Sequence, residues 1–215
     1  MEEQDIDIIN KETKKEQIIN FINKNKKKFI AVILILIFIP IVYYSFDAYK
    51  NNEKKKISEK FTSATINFNK GKISDTVKNL DEIINKKDTT YSPLALYFLI
   101  DNDIISDNDK LNEYFDLIIN KIDLDENIKD LIIYKKAIFN SNYVSPENLI
   151  EILQPILNKD SIWKSHALYL LGEFYYSEGD NIKAKRYFEN IVSLNNSNEE
   201  IRLQAQIRLQ RDLSD

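Results

Sequence analysis

LLGEFYYSEGDNIKAKRYF, residues Leu170 to Phe188, reads as two helices and the turn between them. Ala167, Leu168, Leu171, Phe174 and Tyr175 recur at the spacing of one helical face, and Gly179-Asp180 then breaks the pattern. Ile182, Ala184, Tyr187, Phe188 and Ile191 resume it as a second stripe. Two stripes across a short turn predict an antiparallel pair. Gly172 and Ala184 are small where such helices must approach closely, and Leu171, Tyr175 and Phe188 fill the space between them.

Outward from this stretch the same unit recurs. Ser161 opens the pair, and the polar run Asn195 to Asn198 separates a last helix through Ile201, Ala205, Leu209 and Leu213. Upstream, Ile57, Phe61, Ala64 and Phe68 form a stripe that ends at Gly71, with Ser74 expected to cap a partner carrying Val77, Leu80, Ile83 and Ile84. Ser92-Pro93 suits an N-cap and first helical position for a helix over Leu94 to Ile105, with a partner through Leu111, Tyr114, Phe115, Ile118 and Ile119. Asp125 to Asn140 and a helix opened by Ser145-Pro146-Glu147 and interrupted at Pro155 make the third pair. Four antiparallel pairs and a capping helix result.

One stretch departs from this alternation. Phe29 to Phe46, FIAVILILIFIPIVYYSF, carries no charged side chain and spans roughly 27 Å as a helix, against ~30 Å for the hydrocarbon core of a bilayer. It predicts a single transmembrane helix, with Tyr43 and Tyr44 as interfacial aromatics. The expected organisation is a cytoplasmic tail over 1–28, the membrane helix over 29–46 and a helical-repeat domain over 47–215. The tail carries a weak amphipathic signal at Ile8, Ile9, Ile18, Ile19 and Ile22. Lys24, Lys26, Lys27 and Lys28 abut the apolar run as a positive-inside flank, the alternative being a grip on nucleic acid or anionic lipid. Lys50, Lys54, Lys55, Lys56 and Lys60 follow on the other side, so the charge bias is modest. It favours a cytoplasmic N-terminus and an exported C-terminal domain.

Composition narrows the class. Mean hydropathy is −0.39, so the rest of the chain is too polar for further spans. Three glycines argue against a turn-rich β fold, and the absence of cysteine removes disulfides and thiolate metal sites. A net charge of −4 makes no case for nucleic acid. The single histidine, His166, excludes a histidine metal cluster. Gly71, Gly172 and Gly179 are isolated and form no phosphate loop. Asp101, Asp103, Asp107, Asp123 and Asp125 lack the glycine and terminal glutamate of a calcium loop and read as helix caps. No catalytic residue, cofactor, metal or small-molecule substrate is expected, and the chain is not expected to be an enzyme.

The first helices centre near Ala64, Leu99, Tyr134 and Leu171, an interval of roughly 35 residues. This is close to the period of about 34 residues of tetratricopeptide repeats. Leu170 to Phe188 resembles that repeat residue by residue: Leu171-Gly172 at the Leu-Gly position, Tyr175 at the aromatic, Gly179 at the turn, Ala184 and Phe188 in the second helix. The first unit keeps Ala64 and Gly71 but has Thr76 where alanine is expected, and the fourth has Asn196 where a proline usually follows. The fold class expected is thus all-α, a tetratricopeptide-like α-solenoid behind one membrane helix.

The layout also resembles the YfgM-like ancillary subunits of the bacterial Sec translocon, including Gln154-Pro155 and Trp163 ahead of the Leu-Gly helix. The resemblance implies a bacterial inner-membrane protein in contact with translocon subunits, exported polypeptides or periplasmic chaperones. In the repeat alignment the groove-facing positions of the fourth unit are His166, Tyr169, Glu173, Tyr176 and Ser177, expected to receive a peptide segment. The alternative is that Tyr169 and Tyr176 pack on the adjacent helix and that His166 is an ordinary exposed histidine. Rival functions are an envelope scaffold for cell-division or outer-membrane assembly proteins, and a cytosolic docking receptor if the topology is reversed.

Overall fold

A computed structural model describes residue 15, residues 19–21 and residues 24–213, and all their side chains except those of Phe29, Ile30, Val32, Ile33 and Ile35. Among the described residues there is no β-strand. The helices in order are α1 (Lys26–Asn69), α2 (Ile73–Asn85), α3 (Tyr91–Asp101), α4 (Asn108–Lys121), α5 (Glu126–Asn140), α6 (Pro146–Leu157), α7 (Lys164–Ser177), α8 (Asn181–Ser193) and α9 (Glu199–Arg211). The chain divides between Lys56 and Ile57 into two compact units, so α1 begins in one and ends in the other.

In the first unit Leu34, Leu36, Ile37, Phe38, Ile39, Ile41, Val42, Tyr43, Tyr44 and Phe46 are each between 54% and 70% exposed. Among the described residues no helix is long and apolar enough to cross a membrane. The expected span over Phe29 to Phe46 rests in part on the five apolar side chains that lie outside the described residues. The tail positions Ile8, Ile9, Ile18 and Ile22 also lie outside them.

The second unit is built of helix pairs: the end of α1 with α2, α3 with α4, α5 with α6, and α7 with α8, followed by α9. Its core runs through Ala64, Leu80, Ile83, Leu96, Leu99, Phe115, Ile118, Ile132, Leu149, Leu153, Ile156 and Leu171. A second cluster joins Leu168, Tyr175, Ala184, Phe188, Ile191, Ala205 and Leu213. Each fully buried Leu, Ile or Phe contributes about 1.5–3 kcal/mol, and successive pairs share the cluster.

The turns within the first, second and fourth pairs share one geometry although their residues differ. Gly71, with φ +72°, closes α1: its N–H bonds to Phe68 and the Lys72 N–H reaches back to Asn67. Gly179, with φ +80°, closes α7 in the same way through Tyr176 and Tyr175. Asp103 does so for α3 with φ +49°, its N–H on Ile100 and the Ile104 N–H on Leu99. An aspartate thus stands where two other pairs use glycine, a left-handed position that Asp tolerates better than most residues.

Four local expectations are corrected. Ser74 does not cap α2, which starts at Ile73 after Lys72 without a side-chain cap. Helix α3 starts at Tyr91, one residue ahead of Ser92, because the Asp88 carboxylate accepts from the N–H groups of Thr90 and Tyr91. Ser92 is buried instead and donates toward the final carbonyls of α2 at Ile83 and Ile84. The same helix ends at Asp101, leaving Ile104 and Ile105 in the connector. Pro155 does not interrupt α6, which runs on to Leu157. Ser145, Asp180 and Asn198 accept from the N–H groups of Asn148, Lys183 and Ile201 as N-caps, as do Asp107 and Asp125 at α4 and α5.

Candidate interaction face

The first helices of the second unit are joined edge to edge by aromatic side chains. Phe61 of α1 lies 5.9 Å from the Tyr91 ring and 6.1 Å from the Phe98 ring of α3, and Phe68 lies 5.4 Å from Phe98. The Lys135 ammonium of α5 sits 4.4 Å above the Tyr97 ring of α3. Tyr134 of α5 stacks on Trp163 at 5.7 Å and meets His166 at 5.8 Å. Between these contacts Leu94, Ile128 and Ile138 remain 43–44% exposed. Leu94 shares its side of α3 with Tyr97 and Asp101, and Ile128 shares its side of α5 with Lys135 and Ile138. The face is apolar and aromatic with scattered charge.

Trp163 is held by a polar clamp. Asp130, 1% exposed, pairs with Lys159 at 2.8 Å and accepts from the Ser161 hydroxyl at 2.6 Å. Lys159 also reaches Glu126 at 2.8 Å. Partial burial alone would lower the Lys159 pKa, but the hydrogen bonds and charges of Asp130 and Glu126 outweigh it and raise it. The Ser161 oxygen accepts from the Trp163 N–H at 3.1 Å, and the indole N–H donates to the Asn127 carbonyl at 3.0 Å. These bonds tie the start of α5 to the α6–α7 connector and fix the indole against Tyr134.

No family model, curated protein or solved structure matches the chain. The geometry alone therefore carries the reading of this face.

The five expected groove positions fall in two groups. His166 is half-buried between Trp163 and Tyr134, its ring centroid 5.0 Å from the indole. Its Nδ1 is buried. Burial pushes the imidazole below the usual histidine range, partly offset by the charge of Glu200 and a backbone hydrogen bond at Ile162. Tyr169, Glu173 and Tyr176 face α9. Arg208 grips Glu173 with two nitrogens, its Nε at 2.7 Å from Oε1, and its guanidinium lies 4.9 Å over the Tyr176 ring. Asp212 pairs with the same guanidinium at 2.7 Å. Tyr169 packs edge-on to Phe188 at 5.5 Å. Ser177 is exposed at the end of α7 and donates to the Phe174 carbonyl.

Sequence reading missed Tyr97, Tyr134, Lys135 and Arg208 as members of this face. Tyr134 and Trp163 carry the signal that was available: an aromatic at the centre of α5 and another just ahead of α7.

Proposed function

We propose that the chain is a membrane-anchored, non-enzymatic adaptor that binds protein partners through its first-helix face. More specifically, we place it as an ancillary subunit of the Sec translocon that links exported polypeptides to periplasmic chaperones, with its N-terminus cytoplasmic. One observation carries the binding role: exposed Leu94 accompanies Tyr97 on α3, and exposed Ile128 and Ile138 accompany Tyr134 on α5, whose ring stacks on Trp163 at the start of α7. Rigid aromatics give contact area at low entropy cost, and adjacent aliphatics tolerate many apolar segments. Anchoring is supported by the apolar sequence of Phe29 to Phe46 and by the exposure of its described side chains within one continuous helix. The translocon assignment is supported by the layout and by the Gln154-Pro155 and Trp163 resemblance.

Site-specific photo-cross-linking in intact membranes tests this reading. Photoreactive residues at Leu94, Ile128 and Ile138 are expected to trap translocon subunits or exported chains. The same group at Ile182, exposed on a second helix, is expected to trap far less. Equal trapping from Ile182, or no adduct from the first helices, contradicts the proposal.

A further inference from the structure

Helix α9 holds the place of the first helix of a fifth pair, and one of its sides is unoccupied among the described residues. Its inner side is engaged: Ala205 is fully buried, Arg208 grips Glu173, and Arg202 donates to the Leu194 carbonyl at 2.8 Å. Its outer side carries Glu200, Leu203, Ile207 and Arg211 at steps of three, four and four, a single helical stripe. Leu203 is 57% exposed, Ile207 45%, and the Arg211 side chain 65% although it pairs with Asp212. Glu199 and Glu200 are exposed and make no ion pair among the described residues. Two adjacent aliphatics thus stand on the side of α9 that no described residue covers.

The order of charges along the stripe is self-complementary. We infer that the outer side of α9 pairs with the same side of α9 in a second copy of this chain, the two helices antiparallel about a two-fold axis near residue 205. In that register Leu203 meets Ile207 of the second copy on both sides of the axis. The acidic start, Glu199 and Glu200, meets the other helix's Gln210 and Arg211. A parallel arrangement would set glutamate against glutamate and arginine against arginine, which is repulsive. The antiparallel one is isologous and closes at two copies. A stripe about 20 Å long buries far less than the roughly 800 Å² per partner of a stable soluble interface. The pairing is therefore weak in dilute solution and strong where chains are held at high local concentration. It does not depend on the anchor, which changes only that concentration.

Because the chain has no cysteine, single introduced thiols report the geometry cleanly. Full-length Glu200→Cys and Gln210→Cys chains are mixed, in detergent micelles and in phosphatidylcholine vesicles, and mildly oxidised. The mixed disulfide is expected to exceed either homodisulfide. Leu203→Glu in both chains is expected to cut its yield by about tenfold, a change of about 1.4 kcal/mol. Arg211→Glu, at an exposed position, is expected to lower it too and serves if Leu203→Glu perturbs folding. Predominance of the Glu200→Cys homodisulfide, or a yield no higher than that of an Ile182→Cys control, overturns the inference. So does indifference to both Leu203→Glu and Arg211→Glu. Loss of the cross-link leaves the anchored-adaptor reading standing, and release of the chain from membranes leaves the cross-link standing.

Discussion

In the fourth helix pair Gly172 lets the Phe188 ring lie against α7, and Ala184 keeps α8 close. In the first pair Ala64 and Thr76 hold the corresponding places. A Cβ added at Gly172 would stand 2.6 Å from the Phe188 ring, so any side chain there forces the ring to shift. Thr76 is fully buried, and its hydroxyl donates toward the Ala64 carbonyl at 3.3 Å and the Lys72 carbonyl at 3.0 Å. One pair gains its close approach by having no side chain, the other by giving a polar side chain a bonded place. Both close on a left-handed glycine. The repeat is therefore carried by turn geometry and interhelical distance, which several residue sets satisfy.

Substitutions can break that comparison. Phe188→Ala should cost about 3–5 kcal/mol, since it empties the centre of the fourth pair. Gly172→Ala should cost about 1–3 kcal/mol by forcing the ring aside, and Gly172→Ala with Phe188→Leu should recover part of the loss. Urea unfolding followed by the fluorescence of Trp163, the one tryptophan, reads both. Insensitivity to Gly172→Ala would mean the two helices are not in this contact.

The two turns should respond alike. Gly71→Ala and Gly179→Ala meet nothing within 4 Å, so each should cost only the left-handed penalty of about 1–2 kcal/mol. Unequal costs would show that the first and fourth turns are not equivalent. Exchanging the small residues sharpens the contrast further. Thr76→Val should cost about 1 kcal/mol through lost hydrogen bonds. Ala184→Thr should cost more, because the fourth pair is already filled at that position.

The smallest effect is in pH. His166 has a lowered pKa in the folded chain because burial disfavours its charge. The unfolded chain then binds the extra proton first, so this contribution is fully present above the ordinary histidine value near 6.5. It is lost as pH falls from there through the folded-state value. His166→Gln should flatten that part of the stability–pH curve, measured by urea midpoints across the range.

Much of the fold is visible in spacing. The stripes through Leu80, Ile83 and Ile84, or Ala184, Phe188 and Ile191, name their own buried faces, and Gly71 and Gly179 announce their turns. Asp103 does not, because nothing local to an aspartate signals a positive φ. Ser92 was misread since its partners are carbonyls eight and nine residues back, not the helix it precedes. The interaction face was only half legible. Alignment to one repeat marks groove positions on α7, but Arg208 reaches Glu173 from 35 residues away and sets that side of α7 against α9. Tyr134, Trp163 and His166 likewise come together from two different pairs, across the clamp of Asp130, Lys159 and Ser161.

The central claim, a repeat domain held by Phe29 to Phe46 on the exported side of a membrane, is tested most directly by thiol accessibility. Ile182, 78% exposed, becomes an Ile182→Cys reporter in the cysteine-free chain, with Lys15→Cys as the tail reporter. In spheroplasts an impermeant maleimide should label the Ile182→Cys chain at once and the Lys15→Cys chain only after the membrane is permeabilised, with both chains resisting alkaline extraction. Labelling in the reverse order, or release of the chain by alkali, contradicts the account.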